Sequence, residues 1–420
     1  MVPRFFAERK ASLLPVAVVC ALFIAMTLSC SGSGSDDPAA NSTASRSWSA
    51  TTLPSSGVWQ AVAYGGDSFV AIAKENASGA TTNEAAYSVD GGKTWSATTL
   101  PSSGNWMTVV YGGEAFVAIP SSGSSGGATT AAAYSKDGGE TWSAATIPLG
   151  NTWTALAFGG SSFVALPYFD SSLVATDQAA YSANGGETWS AVTLPSSVHW
   201  QAAAYGGGAF VAIASTGASY GATTYAAYST DGGKTWTAAA LPTSDTWQAV
   251  TYGGGAFVAI ASSGSSGGAT TDAAYSTDGG KTWTAATLPS NGSWRSLAYG
   301  SDAFVALAYS GSSGATTGAA YSTDGGKTWS AAVLPASDYW NGLAYGDGVF
   351  AAISNGGSSS NATTNAAYSV DGGTTWSAAA LPSSYHWQAV AYGGGSFVAI
   401  PQGIEEDESI LPTSEAAVSY

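Results

Sequence analysis

Cysteine is almost missing from this chain of 420 residues. Only two occur, Cys20 and Cys30, and both lie in or beside an apolar segment near the N-terminus. The rest of the sequence therefore contains no disulfide framework, no thiolate metal site and no cysteine nucleophile.

Charge is also scarce, and positive charge above all. Charged residues make up 9% of the chain, with 11 Lys and Arg against 27 Asp and Glu, for a formal net charge of −16. No basic stripe is available to neutralise phosphates, which excludes nucleic acid as a partner. What the chain does have is 54 Gly and 12% aromatic residues, a composition that argues against disorder and favours an all-β repeat with many tight turns.

One pattern, Ser-x-Asp-Gly-Gly-x-Thr-Trp, returns seven times at steps of 47, 47, 47, 47, 46 and 47 residues. A fixed period of this size is typical of a propeller or solenoid, and no enzyme needs one catalytic group seven times. The residues at its third position are Asp90, Asp137, Asn184, Asp231, Asp278, Asp324 and Asp371. We interpret all seven as structural.

Each repeat contains four short β-type segments separated by Gly, Ser or Pro. In the fifth copy these are WQAVTYGG from Trp247, AFVAIA at 256–261, AAYS at 273–276 and TWTAATLP at 282–289. Aromatic and β-branched residues recur inside them, as in strands. Four strands per repeat, arranged radially, form a propeller blade.

The chain ends predict how the ring closes. The first-strand tryptophan occurs eight times, but only seven copies of the Ser-x-Asp-Gly-Gly-x-Thr-Trp pattern are complete. The eighth repeat is divided between the chain ends, because SEAAVSY at the C-terminus matches a third strand and SWSATTLP from Ser47 matches a fourth. We therefore predict one all-β domain over residues 46–420, an eight-bladed β-propeller of four-stranded antiparallel blades whose last blade is closed by the N-terminal strand. Seven blades is the alternative, if the end segments do not pair.

The repeated pattern resembles the Asp-box, or BNR repeat, of the sialidase superfamily of β-propellers, over roughly residues 47–420. The resemblance implies that the box is the turn between the third and fourth strands, on the lower face, away from the active site of that family. Its Asp would accept hydrogen bonds from the N–H groups of its own turn, its glycines would take positive φ, and its Trp would fill space between blades.

The resemblance does not extend to sialidase activity. Family sialidases hold the substrate carboxylate with three arginines and use a Tyr/Glu pair with an Asp acid. Beyond the first thirty residues this chain has only Arg46 and Arg295, so the triad cannot be built. We assign no catalytic residue.

The first residues are typical of a targeting segment. A basic start, eighteen apolar residues and small residues around Cys30 predict a signal peptide over 1–30, followed by a flexible Ser/Gly linker over 31–45. Cys30 resembles the lipidated cysteine of bacterial lipoproteins, although Thr27 stands where that family usually has Leu. A cleaved soluble signal and a retained membrane anchor are the alternatives. All three place the repeats outside the cytoplasm, and the first predicts a lipid anchor at the outer membrane or cell surface of a bacterial envelope.

Comparison of the repeats within the chain separates a constant frame from a varied rim. The box and the YGG turn hardly change between repeats. The residues beside the first-strand Trp, and the residue three before the third-strand Tyr, do differ, and the resemblance places these positions on connections of the upper face. The predicted ligand-binding residues are Gln60, Glu84, His199, Gln201, Tyr225, Gln248, Asp272, Arg295, Asn341, His386 and Gln388. Arg295 is the candidate for an acidic ligand group, or it pairs with Asp272 or Asp302. Neutral variation at exposed loops is the competing interpretation.

No metal or cofactor is predicted, because the acidic run 405–408 lacks the spacing of a calcium loop. The predicted function is an envelope-tethered, non-catalytic and monomeric propeller that binds a glycan or an extracytoplasmic protein through its upper-face loops. Its only membrane contact is the N-terminal lipid or anchor. One alternative is a glycoside hydrolase using paired carboxylates. The other is an envelope assembly or scaffold protein without a small ligand.

Overall fold

The computed structural model describes residues 47–420, except residues 358, 360, 407 and 408. The predicted signal segment 1–30 with Cys30, the predicted linker 31–45 and Arg46 lie outside the described residues, as do the side chains of the acidic run 405–408. Among the residues described, none forms an apolar helix of membrane-spanning length.

Every repeat contributes one long strand and two shorter ones, and all of their pairings are antiparallel. The long strands have 17 residues each and are β1 (Ser49–Gly65), β4 (Ser96–Gly112), β7 (Ser143–Gly159), β10 (Ser190–Gly206), β13 (Thr237–Gly253), β16 (Thr284–Gly300), β19 (Ser330–Gly346) and β22 (Ser377–Gly393). The strands that follow them are β2 (Ser68–Asn76), β5 (Ala115–Gly123), β8 (Ser162–Asp170), β11 (Ala209–Thr216), β14 (Ala256–Ser263), β17 (Ala303–Gly311), β20 (Val349–Gly356) and β23 (Ser396–Glu406). The third set is β3 (Thr82–Ser88), β6 (Thr129–Ser135), β9 (Thr176–Ser182), β12 (Thr223–Ser229), β15 (Thr270–Ser276), β18 (Thr316–Ser322), β21 (Thr363–Ser369) and β25 (Thr413–Ser419), and a short β24 (Ser409–Leu411) pairs with β23.

The long strands join two segments that the sequence predicted as separate. In β13 the residues as far as Ala240, and then Asp245, pair with β12, and the residues from Thr246 onward pair with β14. Pro242 falls inside the register shift of the β12–β13 pairing, between Ala240 and Asp245. A proline, which has no N–H to donate, is tolerated there because that stretch makes no ladder hydrogen bond.

The chain ends pair as the sequence predicts. Ser49 lies opposite Val418 and Thr52 opposite Glu415, so β1 continues the sheet of β25, and the second half of β1 pairs with β2. The fold is thus all-β and antiparallel, of propeller type, and it closes without leaving the C-terminal strand as a free edge.

The core lies between neighbouring repeats. We number the repeats 1 to 8 in chain order by their first-strand tryptophans, and we call these residues the rim tryptophans. These are Trp59, Trp106, Trp153, Trp200, Trp247, Trp294, Trp340 and Trp387, and all are buried. The first-strand Tyr of each repeat, replaced by Phe158 in repeat 3, lies directly on a glycine of the preceding repeat. A Cβ added to Gly65 would lie 2.0 Å from Tyr111 Cγ, and one added to Gly393 in repeat 8 would lie 1.9 Å from Tyr64 Cγ in repeat 1. The aromatic-on-glycine contacts therefore form a closed cycle.

The repeated box is a hydrogen-bonded turn, as its composition predicts. Asp278 accepts hydrogen bonds from the backbone N–H of Lys281 (3.1 Å) and Thr282 (3.0 Å), and from the hydroxyls of Ser276 (2.8 Å) and Thr282 (2.6 Å). Gly280 has φ +85°, and a Cβ there would lie 2.2 Å from Val211 Cγ2 of the preceding repeat. The turn therefore needs glycine for its conformation and for its close approach to the preceding repeat.

Asn184 forms the same turn in repeat 3 without a charge. Its Oδ1 accepts from the N–H of Thr188 at 3.0 Å, while its amide donates to the Thr188 hydroxyl at 2.9 Å. At Asp278, burial alone would raise the pKa, but the hydrogen bonds from Thr282 and Ser276 hold that pKa below its usual value. An amide can thus replace the carboxylate geometrically, but only the carboxylate makes the turn sensitive to acid.

We expect Asp278→Ala to lower the free energy of unfolding at pH 7 by about 1–3 kcal/mol, because the turn N–H groups lose their acceptor. Asp278→Asn should cost less, because Asn184 shows that the amide fits. A group whose pKa is depressed in the folded state stabilises fully above its unfolded pKa of about 3.9 and loses that contribution as pH falls through the folded pKa. Denaturant unfolding at pH 7 and pH 3 measures both effects. Equal losses for the two variants at pH 7 would contradict this account.

Candidate functional site

The two faces of the ring carry different kinds of turn. Ser68 Oγ, in the first hairpin of repeat 1, donates a hydrogen bond to Gly138 O, in the box turn of the next repeat, at 2.7 Å. The hairpin turns and box turns therefore share the lower face. The connections at the opposite strand ends, from second to third strand and along the middle of each long strand, form the upper face, where the repeats differ.

A pocket lies on the inner halves of four successive long strands. These halves pair on one side only, so their other edge faces the axis of the ring. The pocket is partly open to solvent, offers roughly 50 Å³ of free space, and is lined by residues 249–251, 295–298, 341–343 and 388–390. It brings together three of the predicted ligand-binding residues, Arg295, Asn341 and Gln388.

Hydrogen bonds between repeats hold the polar wall of this pocket. The Asn341 amide donates to the backbone oxygen of Gln388 at 2.9 Å and lies 3.4 Å from Gln388 Oε1. Ser296 Oγ donates to the backbone oxygen of Asn341. Leucine and valine side chains, among them Leu297 and Leu343, supply the apolar part. The pocket is thus apolar with a few fixed polar groups, the usual composition of a small-ligand site.

Arg295 adds a charge held against aromatic rings. Its guanidinium carbon lies 4.7 Å from the centroid of the Tyr309 ring, and that ring is 5.1 Å from the ring of Tyr339. The flat guanidinium is attracted to the ring face, which limits the directions in which its N–H groups can point. Arg295 is the one arginine within the described part of the chain.

The other predicted residues are distributed around the ring. Gln60, Gln201 and His386 are buried, Glu84 and Gln248 are partly buried, and Tyr225 is exposed. Their contacts are with residues outside the pocket. Glu84 Oε2 accepts a hydrogen bond from Ser55 Oγ at 3.1 Å. Gln60 Oε1 lies 3.5 Å from the amide of Gln402. His386 Nδ1 lies 2.6 Å from the backbone oxygen of Asn355. The structure does not bring them into the pocket.

His199 belongs to a second cluster, on the rim between repeats 3 and 4. The buried imidazole lies between Tyr168 and Tyr220, with ring centroids at 4.8 and 4.5 Å, and Phe169 approaches at 5.1 Å. Nδ1 lies 3.1 Å from the backbone oxygen of Gly217, which can only accept, so Nδ1 carries the proton and Nε2 is an acceptor. Burial lowers the pKa of His199, which keeps the ring neutral at pH 7.

Sequence reasoning missed a carboxylate pair on the upper face. Asp245, two residues before the rim tryptophan of repeat 5, is 2% exposed and neighbours Asp272. Burial raises the pKa of Asp245, and the charge of Asp272 raises it further. In repeat 7 the equivalent pair is Asp338 and Asn365, whose amide donates to the carboxylate at 2.6 Å. The sequence does contain an indication of this pair, because only repeats 5 and 7 have Asp two residues before the rim tryptophan.

No three His, Cys, Asp or Glu side chains in the described part of the chain gather closely enough to hold a metal ion. No such group can therefore be assigned as a ligand set.

Comparisons with known proteins bear on the repeats and the fold. Five segments match the BNR/Asp-box repeat family, namely residues 86–97, 133–144, 227–238, 274–285 and 320–331. The chain thus carries BNR/Asp-box repeats on a fold of propeller type. The boxes of repeats 3 and 7 lie outside the matched segments but form the same turn, with Asn184 and Asp371 as acceptors. No curated protein sequence matches the chain.

Solved structures support the propeller fold. The computationally designed Ika8 protein matches with TM-score 0.60 and 11% identity, over 88% of this chain and 98% of that one. Virginiamycin B lyase from Staphylococcus aureus gives 0.53 and 9%, over 89% and 99%. YCF48 from Cyanidioschyzon merolae gives 0.52 and 13%, over 89% and 98%. At these identities the likeness concerns the fold alone.

We expect Asp272→Asn to stabilise the protein at pH 7 by about 1–2 kcal/mol, because an amide would donate to Asp245 as Asn365 does to Asp338. An acid whose pKa is raised in the folded state stabilises below its unfolded pKa of about 3.9 and loses that contribution as pH rises through the folded pKa. The gain should therefore shrink towards pH 3, as thermal melting at both pH values would show.

The reciprocal control is Asn365→Asp, which creates a second carboxylate pair and should destabilise the protein at pH 7. Stabilisation by this control, or no change in either variant, would contradict the account of the pair.

Proposed function

We propose that this chain is a non-catalytic binding protein that takes an acidic group of a glycan or a protein into the pocket at Arg295. The observation that carries the proposal is the convergence of Arg295, Asn341 and Gln388 on one pocket of an otherwise repeated frame, where Arg and Asn occur at this place in no other repeat. A varied site on a constant scaffold is how repeat proteins acquire binding specificity.

The chemistry of the pocket favours a carboxylate or another planar anion. A guanidinium donates two parallel hydrogen bonds to such a group. The Asn341 amide is already engaged with Gln388, so the side-chain amide of Gln388 is the further donor that the wall offers. The Asn341 amide and the Gln388 side chain stand beside Arg295 along the wall, and the apolar floor excludes water from part of the site. A charge-assisted hydrogen bond gains strength in that setting.

Eight blades are part of this proposal. Eight long strands are present, each pairing with the third strand of one repeat and the second strand of the next, and the aromatic-on-glycine contacts run from repeat 1 to repeat 8 and back. A seven-bladed ring would leave one of these contacts without a partner. Class averages from electron microscopy, viewed along the ring axis, would count the blades directly.

The glycoside hydrolase alternative receives less support. Hydrolysis of a glycosidic bond uses two carboxyl groups on opposite sides of the scissile bond. No carboxylate is among the described residues that line the pocket. Where carboxylates do meet, at Asp245 and Asp272, the first is buried, so the pair does not present two oxygen-bearing groups to a substrate.

Tethering to the envelope through Cys30 completes the proposal, on the strength of the basic and apolar segment that precedes this residue. We expect Cys30→Ala to move the protein from the membrane fraction to the soluble fraction, because the acyl chains provide the anchor. Fractionation followed by N-terminal sequencing measures this. A variant that stays membrane-bound and keeps residues 1–29 would show a retained anchor instead.

The experiment on the site uses the full-length chain and an oligosaccharide array that contains uronic and other acidic sugars beside neutral ones, together with a panel of acidic peptides. Arg295→Ala should weaken binding of the best acidic probe at least tenfold, because the variant loses the charge-assisted hydrogen bonds to that probe. A tenfold loss corresponds to about 1.4 kcal/mol. Arg295→Lys should recover only part of it, since an ammonium lacks the planar pair of donors.

Lys74→Ala is the matched control, because Lys74 is the other cationic side chain on the described upper face but lies in repeat 1. It should leave binding unchanged. Equal losses in the Lys74 and Arg295 variants would mean that only net charge matters, and binding that is indifferent to Arg295 would remove the site.

A further inference from the structure

The connection between the second and third strands makes the same tight turn in five repeats. A backbone N–H donates to the carbonyl three residues earlier at 2.8–3.1 Å, and the residue that donates has positive φ. The donors are Gly79 (φ +75°), Gly126 (φ +79°), Leu173 (φ +60°), Tyr220 (φ +61°) and Gly267 (φ +80°). Repeats 3 and 4, which are neighbours, thus place large apolar side chains where the others have glycine.

These two side chains gain no burial in return for the strain. A left-handed conformation costs a non-glycine residue roughly 1–2 kcal/mol. Leu173 is 62% exposed and Tyr220 is 61% exposed. The hairpin turns on the lower face also hold non-glycine residues at positive φ, but those residues are polar. Large exposed apolar side chains at such positions on adjacent loops are not favoured by folding and point to a contact surface.

The two residues belong to one patch, which we call the 3–4 patch, formed by Tyr168, Phe169, Leu173, Val174 and Tyr220. Val174 is 55% exposed, and the Phe169 ring lies 6.3 Å from that of Tyr220. One face of the Tyr220 ring stacks on His199 at 23°, so the other face is available to solvent. The neutral imidazole supports that ring without adding a positive charge.

The equivalent junction between repeats 6 and 7 places a cation against a similar aromatic pair. Tyr309 and Tyr339 there occupy the places of Tyr168 and His199, and Arg295 of repeat 6 lies over the Tyr309 ring. In repeat 3 the place of Arg295 is taken by Thr154, a buried residue whose hydroxyl donates to Trp200 O at 2.9 Å. Repeat 3 therefore supplies no cation of its own from this position.

The charges around the 3–4 patch are of one sign. Between Lys136 and Lys234 the sequence contains neither Lys nor Arg. Asp170 begins the turn that carries Leu173, and Asp177 follows on β9. A positively charged group at the patch would thus meet aromatic faces and carboxylates and no repelling cation.

We propose that the 3–4 patch is a docking surface for a polypeptide segment that presents a bulky apolar side chain next to Lys or Arg. The cation stacks on the outer face of Tyr220 near the carboxylates, and the apolar side chain covers Leu173 and Val174. The two exposed aliphatic side chains favour a peptide over a sugar, because they offer no hydrogen bond to hydroxyl groups. This site is separate from the Arg295 pocket and does not rest on the function proposed for that pocket.

The test is selection of a displayed random-peptide library on the immobilised full-length chain, with titration of the enriched peptides. Enriched peptides should contain Leu, Phe or Trp beside Lys or Arg. Tyr220→Gly and Leu173→Gly should each weaken their binding at least tenfold while leaving the melting temperature unchanged or higher, because glycine is the residue that repeats 1, 2 and 5 use at this place.

Arg295→Ala is the control and should bind these peptides as the unaltered chain does, so that a failure of the Arg295 pocket leaves this result unaffected. The proposal is overturned if no peptide is enriched, if the enriched peptides are acidic or lack an apolar residue, or if both glycine variants retain full binding. It is also overturned if neutral oligosaccharides, titrated in parallel, bind at the patch and the peptides do not.

Discussion

The close approach of an aromatic ring to a glycine of the preceding repeat fixes the geometry on which the rest of the molecule depends. At Gly65, Gly393 and their equivalents the ring occupies the volume that a Cβ would fill. Interiors are packed too densely to absorb such a clash, so the spacing between adjacent first strands is set by this contact. Because the spacing is small, side chains from neighbouring repeats meet at the upper rim, as Tyr168 meets His199. The inner strands of repeats 5 to 8 also come close enough to line one pocket.

The box aspartates and Asp245 show opposite electrostatic behaviour. Box aspartates such as Asp278 are surrounded by donors, and their pKa is lowered, so their charge stabilises the frame at neutral pH. Asp245 is buried beside another carboxylate, and its pKa is raised. The first kind repeats on the lower face, and the second occurs on the varied upper face. Stability of the frame is thus built from a local turn that each repeat makes for itself, which leaves the upper face free to hold less favourable groups.

The fold was largely predictable from the sequence because its causes are local and repeated. The period, the Gly-Gly turn and the matching of SEAAVSY with SWSATTLP each follow from residues within one repeat length, and the pairing of β1 with β25 is confirmed. The joining of two predicted strands at Pro242 was not predicted, because it depends on a register shift. The pocket and the Asp245–Asp272 contact depend on which side chains from different strands meet. The strain at Leu173 and Tyr220 lies in φ, which the residue letters do not show.

The two proposed sites have opposite charge preferences, and the distribution of charge allows both on one ring. Screening at physiological ionic strength limits the reach of exposed charges to about 8 Å. The Arg295 pocket therefore responds to its own guanidinium, while the 3–4 patch responds to Asp170 and Asp177 in a stretch without Lys or Arg. The net charge of −16 is largely screened at that ionic strength and does not favour an acidic ligand at any range, so such a ligand depends on the bidentate contact within the pocket. A basic peptide meets favourable charges at the patch itself, and lower ionic strength, which lengthens their reach, should speed its association.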